Sequence, residues 1–151
     1  MLPSSKSLNI LLGADYHAKI CDFGLSRIKL ESSTFNIMKC TIGTVRWTAP
    51  EILNYTAPPS QASDIYSFGI VLWEIASREI PYKDASYDLV PIWIKDGKKE
   101  TIPADCPEGY GKIIQETWKE AKERPTAAKI VIDLTDARPT PDQTISLILT
   151  D

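Results

Sequence analysis

The stretch from Ser63 to Ala76, SDIYSFGIVLWEIA, limits the possible folds more than any other part of the chain. Ile65, Phe68, Gly69, Leu72, Ile75 and Ala76 recur at helical spacing, and Val71 and Trp73 put apolar groups on other faces. A helix that is apolar most of the way round has to be covered on several sides, which predicts the central helix of a core. Its longest apolar run, FGIVLWEIA, is broken by Glu74 and falls far short of the roughly 20 residues that a membrane span needs. A protein core is therefore its expected surrounding, and no membrane is expected as a partner.

The elements around this helix are shorter. NILL at 9–12 and HAKIC at 17–21 are apolar runs joined by the turn-forming Gly13-Ala14-Asp15, which predicts a small β-hairpin with Asp22 at the exit of its second strand. From Leu25 to about Thr48 there is no steady period, which predicts a long and functional loop. Helices are expected over 86–97, with Gly97 as the stop and a kink or late start at Pro91, over 108–123 and over 126–134. The sum is an α+β fold, mainly α-helical, with one hairpin near the start.

With 43% hydrophobic and 25% charged residues, the 151-residue chain has the profile of one ordinary domain. Its formal charge of -3 and scattered basic residues argue against nucleic acid as a partner. Cys21, Cys40 and Cys106 are odd in number and lack metal-ligand spacing, and no signal-peptide pattern opens the chain. These features predict an intracellular, cytoplasmic protein with reduced thiols. His17 reads as a strand residue, and Trp47, Trp73, Trp93 and Trp118 as packing residues.

The order KSLNILL, KICDFGLSR, GTVRWTAPE, SDIYSFGIVLWEI and ERPT resembles the C-terminal lobe of eukaryotic protein kinases, from about Lys6 to Leu134. The GTVRWTAPE and SDIYSFGIVLWEI segments look most like the tyrosine-kinase-like group of Ser/Thr kinases. On this resemblance residues 1–135 form a partial kinase domain and 136–151 a C-terminal extension. The implied chemistry is ATP-dependent phosphoryl transfer to a protein substrate, with Mg2+ as the metal. Asp22 matches the DFG aspartate and Asn9 the catalytic-loop asparagine, both metal ligands in the family. Lys6 matches the lysine that meets the transferred phosphate, and Thr44 the residue that ties the substrate-facing loop to the catalytic loop; both favour Ser/Thr phosphorylation. Leu11 would lie under the adenine. Glu51 and Arg124 match a buried ion pair, and Asp64 the aspartate that accepts backbone N–H groups of the catalytic loop. Ser32, Ser33, Thr34 and Thr41 sit where activation-loop phosphorylation often occurs.

Several features depart from the family. The catalytic aspartate belongs five residues before Asn9, and Ser4 stands there, with Leu2 and Pro3 in the two preceding places of H-R-D. The glycine-rich loop, the strand lysine, its helix glutamate and the hinge are not found in these residues. WKEAKER at 118–124 is one residue short of the usual spacing, which weakens the expectation of a Glu51–Arg124 pair. Each matched residue also has a plainer reading: Asn9 and Asp22 as turn residues, Lys6 as a solvated lysine, Cys21 as an apolar filler. Three functions stay open: the C-lobe of a genuine kinase with a missing N-lobe, a noncatalytic pseudokinase-like binding module, and a degenerate fragment. Because the central helix of the family packs against a helix that precedes the catalytic loop, an exposed apolar patch is also expected.

Overall fold

A computed structural model describes residues 6–21 and 44–137. Two short strands, β1 (Ile10–Leu12) and β2 (Ala18–Ile20), pair antiparallel in the register Ile10 to Ile20, Leu11 to Lys19 and Leu12 to Ala18. Among the described residues five α-helices follow: α1 (Pro50–Leu53), α2 (Gln61–Ser77), α3 (Val90–Lys95), α4 (Glu108–Thr117) and α5 (Ala127–Asp136). Single 3-10 turns occupy Ser7–Asn9, Val45–Trp47 and Ala121–Glu123. The α+β class with one hairpin is the one expected from the sequence.

The central helix forms because its ends are well capped as well as because its middle is apolar. Ser60 Oγ accepts from the Ser63 N–H at 3.3 Å while Ser63 Oγ accepts from the Ser60 N–H at 2.9 Å, a reciprocal cap. At the other end Arg78 stands in the left-handed region, with φ 57°, and its N–H closes on the Glu74 carbonyl. Between the caps Tyr66, Ile70, Val71, Leu72 and Trp73 are buried, in one core with Ile113, Ile114, Trp118 and Ile130. Gly69 lets α2 and α4 touch: a Cβ there would come within 1.8 Å of Thr117 Oγ1. A second cluster joins Val45, Leu53, Tyr82, Ala85, Val90 and Ile94.

Some elements differ from the sequence expectation. Ile75, counted with the apolar positions of α2, is 63% exposed, and Phe68 is only half-buried. The late start at Pro91 holds, since α3 begins at Val90 and proline occupies its first turn, where its missing N–H costs nothing. The helix expected over 108–123 ends at Thr117. In a continued helix the Lys119 carbonyl would receive the N–H of Glu123; it takes Arg124 Nε at 2.8 Å instead, and Glu123 N–H turns to the Glu120 carbonyl. After Thr117 the chain thus turns on itself through bonds between Arg124 and Lys119 and between Glu123 and Glu120. The four-residue α1 and the turn Val45–Trp47 were not expected from periodicity, since neither is long enough to show one.

Candidate active site

Lys6 precedes the turn Ser7–Asn9, whose N–H at Asn9 closes on the Lys6 carbonyl at 2.8 Å. Asn9 is buried at 7% exposure, and its carbonyl accepts the Cys21 N–H at 2.8 Å. The hairpin therefore folds residue 21 back beside residue 9. Leu11, on the strand that follows, is 58% exposed. Asp22, Ser4, Ser32, Ser33, Thr34 and Thr41, and with them the DFG tripeptide, lie outside the described residues.

Thr44 is buried at 6% exposure. Its carbonyl accepts from Trp47 N–H at 3.0 Å and from Thr48 Oγ1 at 2.9 Å, so the 3-10 turn grows directly from it. Trp47 is then fixed by α2: its carbonyl accepts from Ser67 Oγ at 2.6 Å and its indole N–H donates to Glu74 Oε2 at 2.7 Å. The other oxygen of Glu74 accepts from Ser7 Oγ at 2.9 Å. Burial pushes the Glu74 carboxyl above its usual range, and the bonds from Trp47 and Ser7 pull it part of the way back. Arg46, beside Trp47, donates from Nη1 to the carbonyls of Pro81 and Tyr82.

Glu51 and Arg124 meet in a two-pronged pair, Nη1 to Oε1 at 2.6 Å and Nη2 to Oε2 at 2.9 Å. Their side chains are 12% and 1% exposed. Arg124 Nη1 also donates to the Ala62 carbonyl at 2.9 Å, so one guanidinium ties α1, the first turn of α2 and the α4–α5 connection. The short WKEAKER spacing does not prevent the pair, because the chain tightens into the turn Ala121–Glu123. Arg124 lies over the Tyr66 ring at 5.1 Å and Lys99 at 5.3 Å. Burial first, and repulsion from Arg124 second, lower the Lys99 ammonium below its usual range.

Asn9 and Asp64 line one cavity of about 860 Å3 between the hairpin, α2 and α5. Most of its wall is apolar, from Ile10, Ile20, Phe68, Ile130, Val131 and Leu134. Among the described residues no group of three His, Cys, Asp or Glu could hold a metal ion. No helix among them is long and apolar enough to cross a membrane. Sequence reasoning missed the part played by Glu74; its signal was a lone carboxylate interrupting an apolar helix.

The family described as protein tyrosine and serine/threonine kinase matches residues 6–134. A probable LIM domain-containing serine/threonine-protein kinase of Dictyostelium discoideum is 39% identical over 127 residues, 83% of this chain and 19% of the relative. Mitogen-activated protein kinase kinase kinase 12 of Rattus norvegicus is 36% identical over 146 residues, 92% of this chain and 16% of the relative. Ephrin type-A receptor 7 of Gallus gallus is 42% identical over 127 residues, 82% of this chain and 13% of the relative. The chain thus spans less than a fifth of the length of each of these three relatives. With the match running from Lys6 into the last turn of α5, the chain belongs to the protein tyrosine and serine/threonine kinase family.

Proposed function

We propose that the chain is the C-terminal lobe of a kinase-like protein whose chemistry is ATP-dependent phosphorylation of Ser and Thr in protein substrates, and that these 151 residues alone do not perform the transfer. The observation that carries the second part is Ser4, five residues before Asn9. A hydroxyl there cannot accept and orient the substrate hydroxyl as a carboxylate does. Lys6 would meet the transferred phosphate, Thr44 would tie the substrate-facing loop to the catalytic loop, and Leu11 would lie under the adenine. Lys6 and Thr44 are the residues that favour Ser/Thr over Tyr as acceptor.

The buried Asn9, bonded through its carbonyl to the residue before Asp22, fits a hard cation: its side-chain oxygen and the Asp22 carboxylate are the donors that Mg2+ takes. When bound, Mg2+ neutralises charge on the ATP phosphates. Titration of the 151-residue chain with Mg-ATP in a calorimeter, followed by a phosphate-transfer assay on a generic protein substrate, tests this reading. No transfer is expected, and no saturable heat up to about 1 mM nucleotide, the range of the weakest specific binding. Transfer that is abolished by Asn9→Ala would overturn it.

A second reading, a noncatalytic pseudokinase-like docking module, is favoured by the apolar cavity beside the hairpin. Ile10, Phe68 and Val131 offer a surface that a partner, or an N-lobe of a longer protein, would cover. A monodisperse monomer that unfolds cooperatively would favour this reading over a degenerate fragment.

A further inference from the structure

Residues 127–134 of α5 run along the apolar cavity between the hairpin, α2 and α5. Leu134, part of its wall, lies three residues before Ala137, where the helix is capped, so the chain leaves α5 at the rim of the cavity. Pro139 bars the helix from continuing, because the residue before a proline is pushed out of the helical region. Residues 144–150, TISLILT, come next and lie outside the described residues. They carry four large aliphatic side chains, Ile145, Leu147, Ile148 and Leu149, and no charge, proline or glycine. A run of this composition pairs with other chains when it is left bare. We propose that residues 144–150 dock in the cavity of their own chain, with their aliphatic side chains against Phe68, Ile130 and Val131.

The six residues 138–143 reach at most about 20 Å, at about 3.3 Å each. Residues 127–134 span only about 10 Å of helix, at about 1.5 Å each. The connection can therefore fold back over the whole cavity. Tethering selects this occupant over a second copy, since a short linker holds its segment at an effective concentration of about 1 mM. Leu11 and Leu12 do not line the cavity and stay exposed on the hairpin when it is filled. A partner that uses the cavity has to displace residues 144–150. The proposal gives the cavity of the docking reading an occupant, and it does not rest on phosphoryl transfer.

The test is amide hydrogen exchange of residues 145–149 in the 151-residue chain, with a synthetic peptide of residues 138–151 as the free reference. Exchange should be about tenfold slower in the chain, the factor for an effective concentration of about 1 mM and an affinity of about 0.1 mM. Val131→Asp, which puts a charge into the wall at a position 64% exposed, should restore the peptide rate. Ile132→Asp, at a position 56% exposed and outside the wall, should leave exchange slow. Peptide rates in the parent, or equal effects of the two variants, would overturn the proposal. A second measurement places benzoylphenylalanine at position 147 and irradiates the chain. Cross-links to peptides of the hairpin, α2 or α5 in a product of monomer mass support the proposal. Cross-links elsewhere in the chain, or in a product of twice that mass, would overturn it, the latter by putting a second copy in the cavity. Should Val131→Asp unfold the chain, the cross-link carries the decision. Failure of residues 144–150 to bind leaves the docking reading standing for another occupant.

Discussion

At the residue scale, the buried Glu51–Arg124 pair and Glu74 make opposite electrostatic demands. Arg124 has four acceptors, the two Glu51 oxygens and the carbonyls of Ala62 and Lys119, and its side chain is 1% exposed. Arg124→Ala leaves Glu51 buried without its partner, so chemical denaturation should show a loss of about 3 to 5 kcal/mol. Arg124→Lys should recover only a minor part, since an ammonium cannot present the planar fork that meets both oxygens. Glu74 is governed by pH. Its carboxyl pKa is raised on folding, chiefly by burial, so the folded state holds that proton more tightly than the unfolded one. The resulting stabilisation is complete below the ordinary carboxylate range and is lost as pH rises through the raised value. Urea unfolding across that window should show the stability of the parent relative to Glu74→Gln falling with pH and then levelling towards neutrality. A relative stability that rises with pH would contradict the burial of this group.

At the element scale, α2 depends on its ends and on one close approach. Ser60→Ala removes the acceptor for the Ser63 N–H and should cost about 1 kcal/mol by thermal or urea unfolding. Arg78→Gly should stabilise by about 0.5 to 1 kcal/mol, because glycine adopts the left-handed conformation at φ 57° without a Cβ penalty. Gly69→Ala should be the most damaging single-methyl change in the helix. The added carbon would meet Thr117 Oγ1 at 1.8 Å, and Thr117 is itself fully buried, so α2 and α4 would have to separate. A cost of about 1 to 3 kcal/mol is expected by the same measurement, and Thr117→Ser, made alongside it, should not fully relieve the clash because the hydroxyl remains.

At the scale of the whole molecule, the described residues leave apolar surface uncovered around the hairpin, besides scattered side chains such as Ile75 and Ile80. Leu8, Leu11, Leu12 and Tyr16 around the hairpin are 58% to 84% exposed, and the neighbouring cavity between the hairpin, α2 and α5 is mostly apolar. Surface of this kind is covered by other protein in a stable assembly or drives self-association when bare. Sedimentation of the purified 151-residue chain should therefore show concentration-dependent association, reduced by Leu11→Lys with Leu12→Lys. A monomer at all concentrations would show that this surface does not drive self-association by itself, which favours the docking-module reading over a degenerate fragment.

The sequence by itself determined the central helix, the hairpin, the late start of α3 and the family, because each rests on local chemistry: apolar period, turn residues, proline at a first helical turn, and short motifs in a fixed order. It also carried the residue types of Glu51 and Arg124. Tertiary structure fixed the turn that follows α4, since Arg124, which takes the Lys119 carbonyl, is itself held by Glu51 and Ala62, and no periodicity records those bonds. It decided that Ile75, apolar and in phase with its neighbours, faces outward, because what covers a helix face is set by other elements. It also decided what Glu74 does. In the sequence Glu74 only interrupts an apolar run; in the fold its two oxygens meet Ser7 and Trp47, donors that are remote in sequence and come together only once the chain has packed around α2.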